Sequence, residues 1–215
     1  MKKIFLSFGI LMTITLGIRL SAEAVSEIPG LKEIDAQLER LNQSLAGFPP
    51  KFENAAQKQK VESDLTSTLQ KLNELARQYP NDYRIETRLG DAYRMAHNLD
   101  WKGAAESSEA HLKKAIQLKP DDPNAHLLLG MLLVNSNMQF APEAEKQFNR
   151  VLELANGQKK FEEDAYNGLF FAYYYQGKMK DAAAAADQYL KFQPDNASIK
   201  KLRDIALEKS KKTTP

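Results

Sequence analysis

From residue 31 onward, apolar residues recur at alternating steps of three and four: Leu31, Ile34, Leu38, Leu41 and Leu45. That is a heptad stripe on one face of a helix. Phe48-Pro49-Pro50 breaks the pattern. A longer helix follows to Tyr79, with Val61, Leu65, Leu69, Leu72, Ala76 and Tyr79 on one face. Beyond it the pattern becomes self-similar. "RIETRLGDAYRMA", "NAHLLLGMLLVNS" and "DAYNGLFFAYYYQ" align, and their leucines Leu89, Leu129 and Leu169 stand 40 residues apart each time. A second amphipathic helix follows each. Its inner face carries a small residue (Ser108, Ala144, Ala182), then Leu112, Phe148 or Ala186 four positions on. Eight positions later it ends at Pro120, Asn156 or Pro194. Thr68, Leu72 and Pro80 keep the same spacing upstream. Self-similarity at this length predicts an all-α solenoid of helical hairpins.

These residues resemble the tetratricopeptide repeat, whose pattern runs W-x2-L-G-x2-Y, then A-x3-F, then P. Leu89-Gly90-x2-Tyr93 matches its first half, and Leu129-Gly130-x2-Leu133 departs only at the last position. Leu169-Phe170-x2-Tyr173 lacks the glycine, and Tyr166 stands where the tryptophan would be. The endings "LKPDDPNA" and "FQPDNAS" look like repeat junctions, with proline closing one helix and Asp or Asn capping the next. The resemblance implies a right-handed α-α superhelix. The expected divisions are a leader at 1–24, an N-terminal helical extension at 25–58, and repeats over 59–195. Within the repeats the units fall at about 59–80 (partial), 83–120, 123–156 and 163–194, and a capping helix with a basic tail occupies 196–215.

The first and second repeats carry extra residues in their turns, around "HNLDWKG" and "NSNMQFAP", and the second also in its exit, "NGQKK". Turns tolerate such insertions. Trp101, in the longest turn, either folds back on its hairpin or stands out as a contact residue. The N-terminal stripe either packs on its neighbours or joins two copies of the chain as a homodimer. Two heptads are too few to require a coiled coil.

The stretch "GLFFAYYYQGK" places five aromatic rings within six positions, 170–175. At 100° per residue they divide. Tyr166, Leu169, Phe170 and Tyr173 share an arc that matches the family's packing positions. Asn167, Phe171, Tyr174 and Tyr175 share the next, which in tetratricopeptide proteins faces the concave groove where a peptide binds. The 40-residue spacing then aligns Thr87, Leu127 and Asn167; Asp91, Met131 and Phe171; and Arg94, Val134 and Tyr174. Arg84, Asn124 and Asp164 lie one turn nearer the helix starts. The expected groove is therefore Arg84, Thr87, Arg88, Asp91, Arg94, Asn124, Leu127, Met131, Val134, Asn167, Phe171 and Tyr174. Leu127, Met131, Phe171 and Tyr174 would anchor a partner, and the charged residues of the first repeat would select its charge. Aromatic residues and Met are enriched at protein interfaces. Neighbouring helices and the C-terminal cap touch the same arc, so Phe171 and Tyr174 are equally readable as core.

Members of the family that clamp acidic C-termini line the groove with Lys and Asn. The matching positions here include Thr87, Asp91, Asn124, Leu128, Asp164 and Gly168, which supply no cation for a carboxylate.

Composition narrows the function. Lys2 and Lys3 precede an apolar stretch ending in Ala22-Glu23-Ala24, the form of a secretory leader cut after Ala24. Its fifteen apolar-leaning residues are short for a span of about 20, and no later stretch could cross a bilayer. The expected mature chain is exported, to a bacterial periplasm first and to the outside of the cell as the alternative, and is not stably inserted in the membrane once the leader is cut. Losing residues 1–24 takes the formal charge from +2 to 0, so no global field attracts nucleic acid. There is no cysteine, which removes disulfides and thiolate metal sites. His97, His111 and His126 show no ligand spacing, and His126 sits on a packing face. No phosphate-binding glycine loop, G-x-S-x-G or H-E-x-x-H is present. The sequence thus points away from catalysis, metals and cofactors. It points to a protein-binding scaffold or assembly factor, with a structural homo-oligomer or an accessory subunit of an envelope enzyme or secretion complex as alternatives.

Overall fold

The computed structural model describes residues 27–212. The expected leader and the last three residues of the tail lie outside them. The described residues form nine α-helices and no strand: α1 (Leu31–Leu45), α2 (Ala55–Gln78), α3 (Tyr83–Asn98), α4 (Ala104–Leu118), α5 (Pro123–Ser136), α6 (Ala141–Leu154), α7 (Lys159–Tyr175), α8 (Met179–Tyr189) and α9 (Ala197–Lys212). One 3-10 turn, Met138–Phe140, joins α5 to α6. Consecutive helices pack on one another along the chain.

The junctions obey local chemistry. Asp82 caps α3 by accepting the Arg84 N–H at 2.9 Å. Asp122 caps α5 through Asn124 N–H at 3.2 Å, with Pro123 in the first turn, where no N–H is needed. Asn196 caps α9 through Ile199 N–H at 3.0 Å.

Each hairpin closes on the small residues read from the sequence. Ser108, Ala144 and Ala182 are buried, as are Leu112, Phe148 and Ala186. Ser108 Oγ donates to the Gly90 carbonyl at 2.7 Å, which brings α4 against α3. Gly90 leaves room for Leu112, because a Cβ there would stand 2.4 Å from Leu112 Cγ. In the third repeat Phe170 stands at that position, and Gly168 instead meets the second helix of the repeat before it. The Phe148 ring of α6 lies between Gly130 of α5 and Gly168 of α7, where added Cβ atoms would come within 2.7 and 2.2 Å of it.

The N-terminal segment differs from the expected extension. All five stripe residues of α1 are buried, and α1 packs on α2 and α3. Its polar links to α3 run in constant register: Asp35 to Arg88, Asn42 to Arg94 and Leu45 to Asn98 are separated by 53, 52 and 53 residues. Constant separation means that α1 and α3 run parallel, as first helices of successive hairpins do. Residues 31–78 are therefore a further hairpin stacked in the same sense, and the expected boundary at 58/59 falls inside α2. The stripe packs onto its neighbours, and the face on which the homodimer reading rested is covered by the chain itself. Trp101 folds back, packing against the N-terminal core. The helix α7 starts at Lys159, four residues before the expected repeat start, and Phe161 in its first turn packs on the C-terminal core.

Candidate binding groove

The polar half of the expected groove is spent inside the protein. Arg94 is only 2% exposed. Its guanidinium donates to Asp91 at 2.7 Å, to Asn42 Oδ1 at 3.2 Å and to the Ala46 carbonyl at 3.4 Å, binding α1 to α3. Arg88 grips Asp35 of α1 with two bonds, at 2.5 and 2.7 Å. Arg84 folds over Asp82 at 2.6 Å and holds that carboxyl below its ordinary pKa, chiefly through the side-chain hydrogen bond. Thr87 is buried and donates to the Tyr83 carbonyl at 2.8 Å. These residues, with Asp91, position α1 and cap α3. The expectation that they select a partner's charge is corrected. A first-helix residue meets the first helix before it, and here that helix is α1.

Two apolar expectations also change. Leu127 is buried in the C-terminal core, and Tyr174 belongs to the cap. Lys209 of α9 lies 4.6 Å from the Tyr174 ring centre, with its Nζ 2.5 Å from the hydroxyl. Asn124 lies at the start of α5 and takes part in its cap.

The other four residues come together. Met131 and Val134 of α5 and Asn167 and Phe171 of α7 line one cleft of about 280 Å³, floored by Gly168 and the Phe148 ring. Asp164, Asn135 and Tyr175 complete its lining, and Ala46, Gly47 and Phe48 of the α1–α2 turn form the facing wall. Phe48 is 57% exposed, and Tyr175 is also exposed. The rings of Phe171 and Tyr175 lie 6.4 Å apart, while Phe171 meets the buried Phe170 edge-on at 5.0 Å. Phe171 thus belongs to both readings, with one edge on the core and another in the cleft.

Tyr175 could have been chosen from the sequence, since it lies four residues after Phe171 on the same arc. Phe48 gave no signal, because it arrives from a different hairpin.

The cleft has no lining cation, and Asp164 is its charged residue. Burial pushes that carboxyl above its ordinary pKa; the Lys160 ammonium, 2.8 Å away, offsets this only in part. A cleft below the roughly 300–1,000 Å³ of small-molecule pockets suits one or two side chains better than a cofactor. A larger cleft, about 550 Å³, opens between α1 and α2, but charges of both signs line it and its apolar members Ile34 and Leu75 belong to the N-terminal core.

The histidines are used structurally. His111 Nδ1 lies 2.7 Å from buried Glu86, whose other oxygen meets Lys114 at 2.7 Å. His126 sits between Gln147 Oε1 at 2.8 Å and the Pro120 carbonyl at 3.1 Å. His97 Nε2 lies 3.3 Å from Ser136 Oγ. Among the described residues no three His, Asp or Glu side chains gather as metal ligands. No described helix is long and apolar enough to cross a membrane.

No family model matches the chain, and no curated protein does. A solved structure does: the crystal structure of a thermophilic TPR protein from Thermus thermophilus. The two share 19% identity and superpose with a TM-score of 0.55 over 83% of this chain and 92% of that one. The chain has the tetratricopeptide fold. In this tetratricopeptide solenoid the first helices are α1, α3, α5 and α7, with α9 closing the row, and the cleft lies on residues of α5 and α7.

Proposed function

We propose that the protein is a non-enzymatic scaffold or assembly factor that binds a segment of a partner protein in the cleft between α5, α7 and the Phe48 turn. The observation that carries this is the convergence of Phe48, Met131, Phe171 and Tyr175, from three separate elements, on a concavity that the protein leaves open. One aromatic or aliphatic side chain inserted there contributes about 1.5–3 kcal/mol, and flanking main-chain contacts add to it. Binding is therefore weak per site and depends on a few anchors. We assign this role to a bacterial envelope on the form of the leader, with cleavage after Ala24 releasing a chain that starts at Val25.

The test is affinity capture and crosslinking with the mature chain, compared with Tyr175→Ala and Asn167→Arg. The first removes an exposed ring and the second fills the cleft. Both variants should keep the wild-type circular dichroism and lose the captured partner. A partner retained by both folded variants would place binding elsewhere on the molecule.

A further inference from the structure

We infer that the segment bound in this cleft carries a lysine or arginine about three residues from its apolar anchor, and that Asp164 receives it. The inference rests on the groove reading above and specifies the partner's chemistry.

The charged residues of the expected groove differ in how they are used. Outside the cleft, Arg84, Arg88 and Arg94 are all engaged by Asp82, Asp35 and Asp91. Asp164 is different. Its side chain is 22% exposed, and its protein partner is Lys160, whose own side chain is 75% exposed. An ion pair held by so solvated a lysine contributes little and is readily exchanged. Lys160 meets Oδ1, and no hydrogen bond from the described residues reaches Oδ2. Glu163 adds a second negative charge beside it, and burial already disfavours the ionised form. The carboxylate is thus partly desolvated and under-neutralised, at the edge of a cleft whose other polar residues are the amides Asn135 and Asn167. An incoming cation gains a charge-assisted hydrogen bond there, whereas an incoming carboxylate meets repulsion.

Geometry sets the spacing. Asp164 and Phe171 are seven residues apart on α7, about 10 Å along the axis. An extended segment rises about 3.3 Å per residue, so about three residues separate the group on Asp164 from the one on Phe171.

The experiment titrates blocked Ala/Ser peptides into the mature chain, followed by the amide resonances of Asn167 and Gly168. Each peptide carries one phenylalanine and, three residues away, lysine, norleucine or glutamate. The lysine peptide is expected to bind about tenfold more tightly than the norleucine peptide, and the glutamate peptide most weakly. Asp164→Asn should remove the lysine advantage and leave the norleucine peptide unchanged. Equal binding of all three to wild type, or a lysine preference that survives Asp164→Asn, overturns the charge inference while leaving the groove reading intact. Binding of none overturns both.

Discussion

Gly168 offers a sharp test of how the solenoid is packed. A Cβ at this position would stand 2.2, 2.4 and 2.6 Å from Cζ, Cε1 and Cε2 of Phe148. The ring is also held by Gly130, where an added Cβ would be 2.7 Å from Cε1. Relieving the contact needs a movement of more than about 1 Å in a fully buried ring, which places the cost near the upper end of overpacking, about 3 kcal/mol. Replacing a mid-helix glycine by alanine returns about 1 kcal/mol. Gly168→Ala should therefore destabilise the protein by about 2 kcal/mol, or lower Tm by about 4–8 °C for a chain of this size. Urea and thermal unfolding followed by circular dichroism measure it. Phe148→Leu alone should cost about 1–2 kcal/mol through lost burial. In that background the clash is gone and the helix-propensity gain remains, so Gly168→Ala should stabilise by about 1 kcal/mol, giving a coupling of about 3 kcal/mol between the sites. A Gly168→Ala protein as stable as wild type, or an equal cost in both backgrounds, would refute the wedge.

Arg94→Met should cost about 2–4 kcal/mol, because it leaves Asp91 without its buried partner and frees the Ala46 end of α1; faster amide exchange in α1 than in α7 should accompany the loss. Asp164→Asn should raise Tm at pH 7, since the folded state holds a carboxyl whose ionised form burial disfavours. The carboxyl's folded pKa is raised, so its destabilising effect is present above that pKa and is relieved as pH falls through it. The gain from Asn should vanish there, and a gain independent of pH would contradict the assignment. Asp82→Asn keeps a competent cap but loses the ion pair with Arg84. The folded pKa of Asp82 is depressed, so its stabilisation is present above the ordinary value of 3.8 and is lost as pH falls below it. The variant should cost up to about 1 kcal/mol at pH 7, with the difference closing in acid.

The repeats could be read from the sequence because their packing is local. Small residues at Ser108, Ala144 and Ala182 and the capped junctions at Asp82 and Asp122 express contacts within one hairpin, and the first-helix leucines repeat them every 40 residues. The groove was only half legible because it depends on what lies next to each first helix. Position by position, Arg94, Val134 and Tyr174 are equivalent. In space Arg94 meets α1, Val134 lines the cleft and Tyr174 meets α9. The heptad stripe announced that α1 would be buried, but nothing in its spacing showed that it would run parallel to α3 and use up the arginines there. Phe48 reached the site only through the turn after α1, at a position where helical periodicity carries no information.

A partner seated between α5, α7 and the Phe48 turn, as we propose, would lie within reach of both Phe48 and Tyr175. Photocrosslinking in the native envelope tests this placement most directly, with a benzophenone side chain placed at Phe48, at Tyr175 and, as control, at exposed Lys113 of α4. Phe48 and Tyr175 should label the same segment of one partner, and Lys113 should not. Labelling that is equal from Lys113, or different partners from Phe48 and Tyr175, would contradict a shared binding site there.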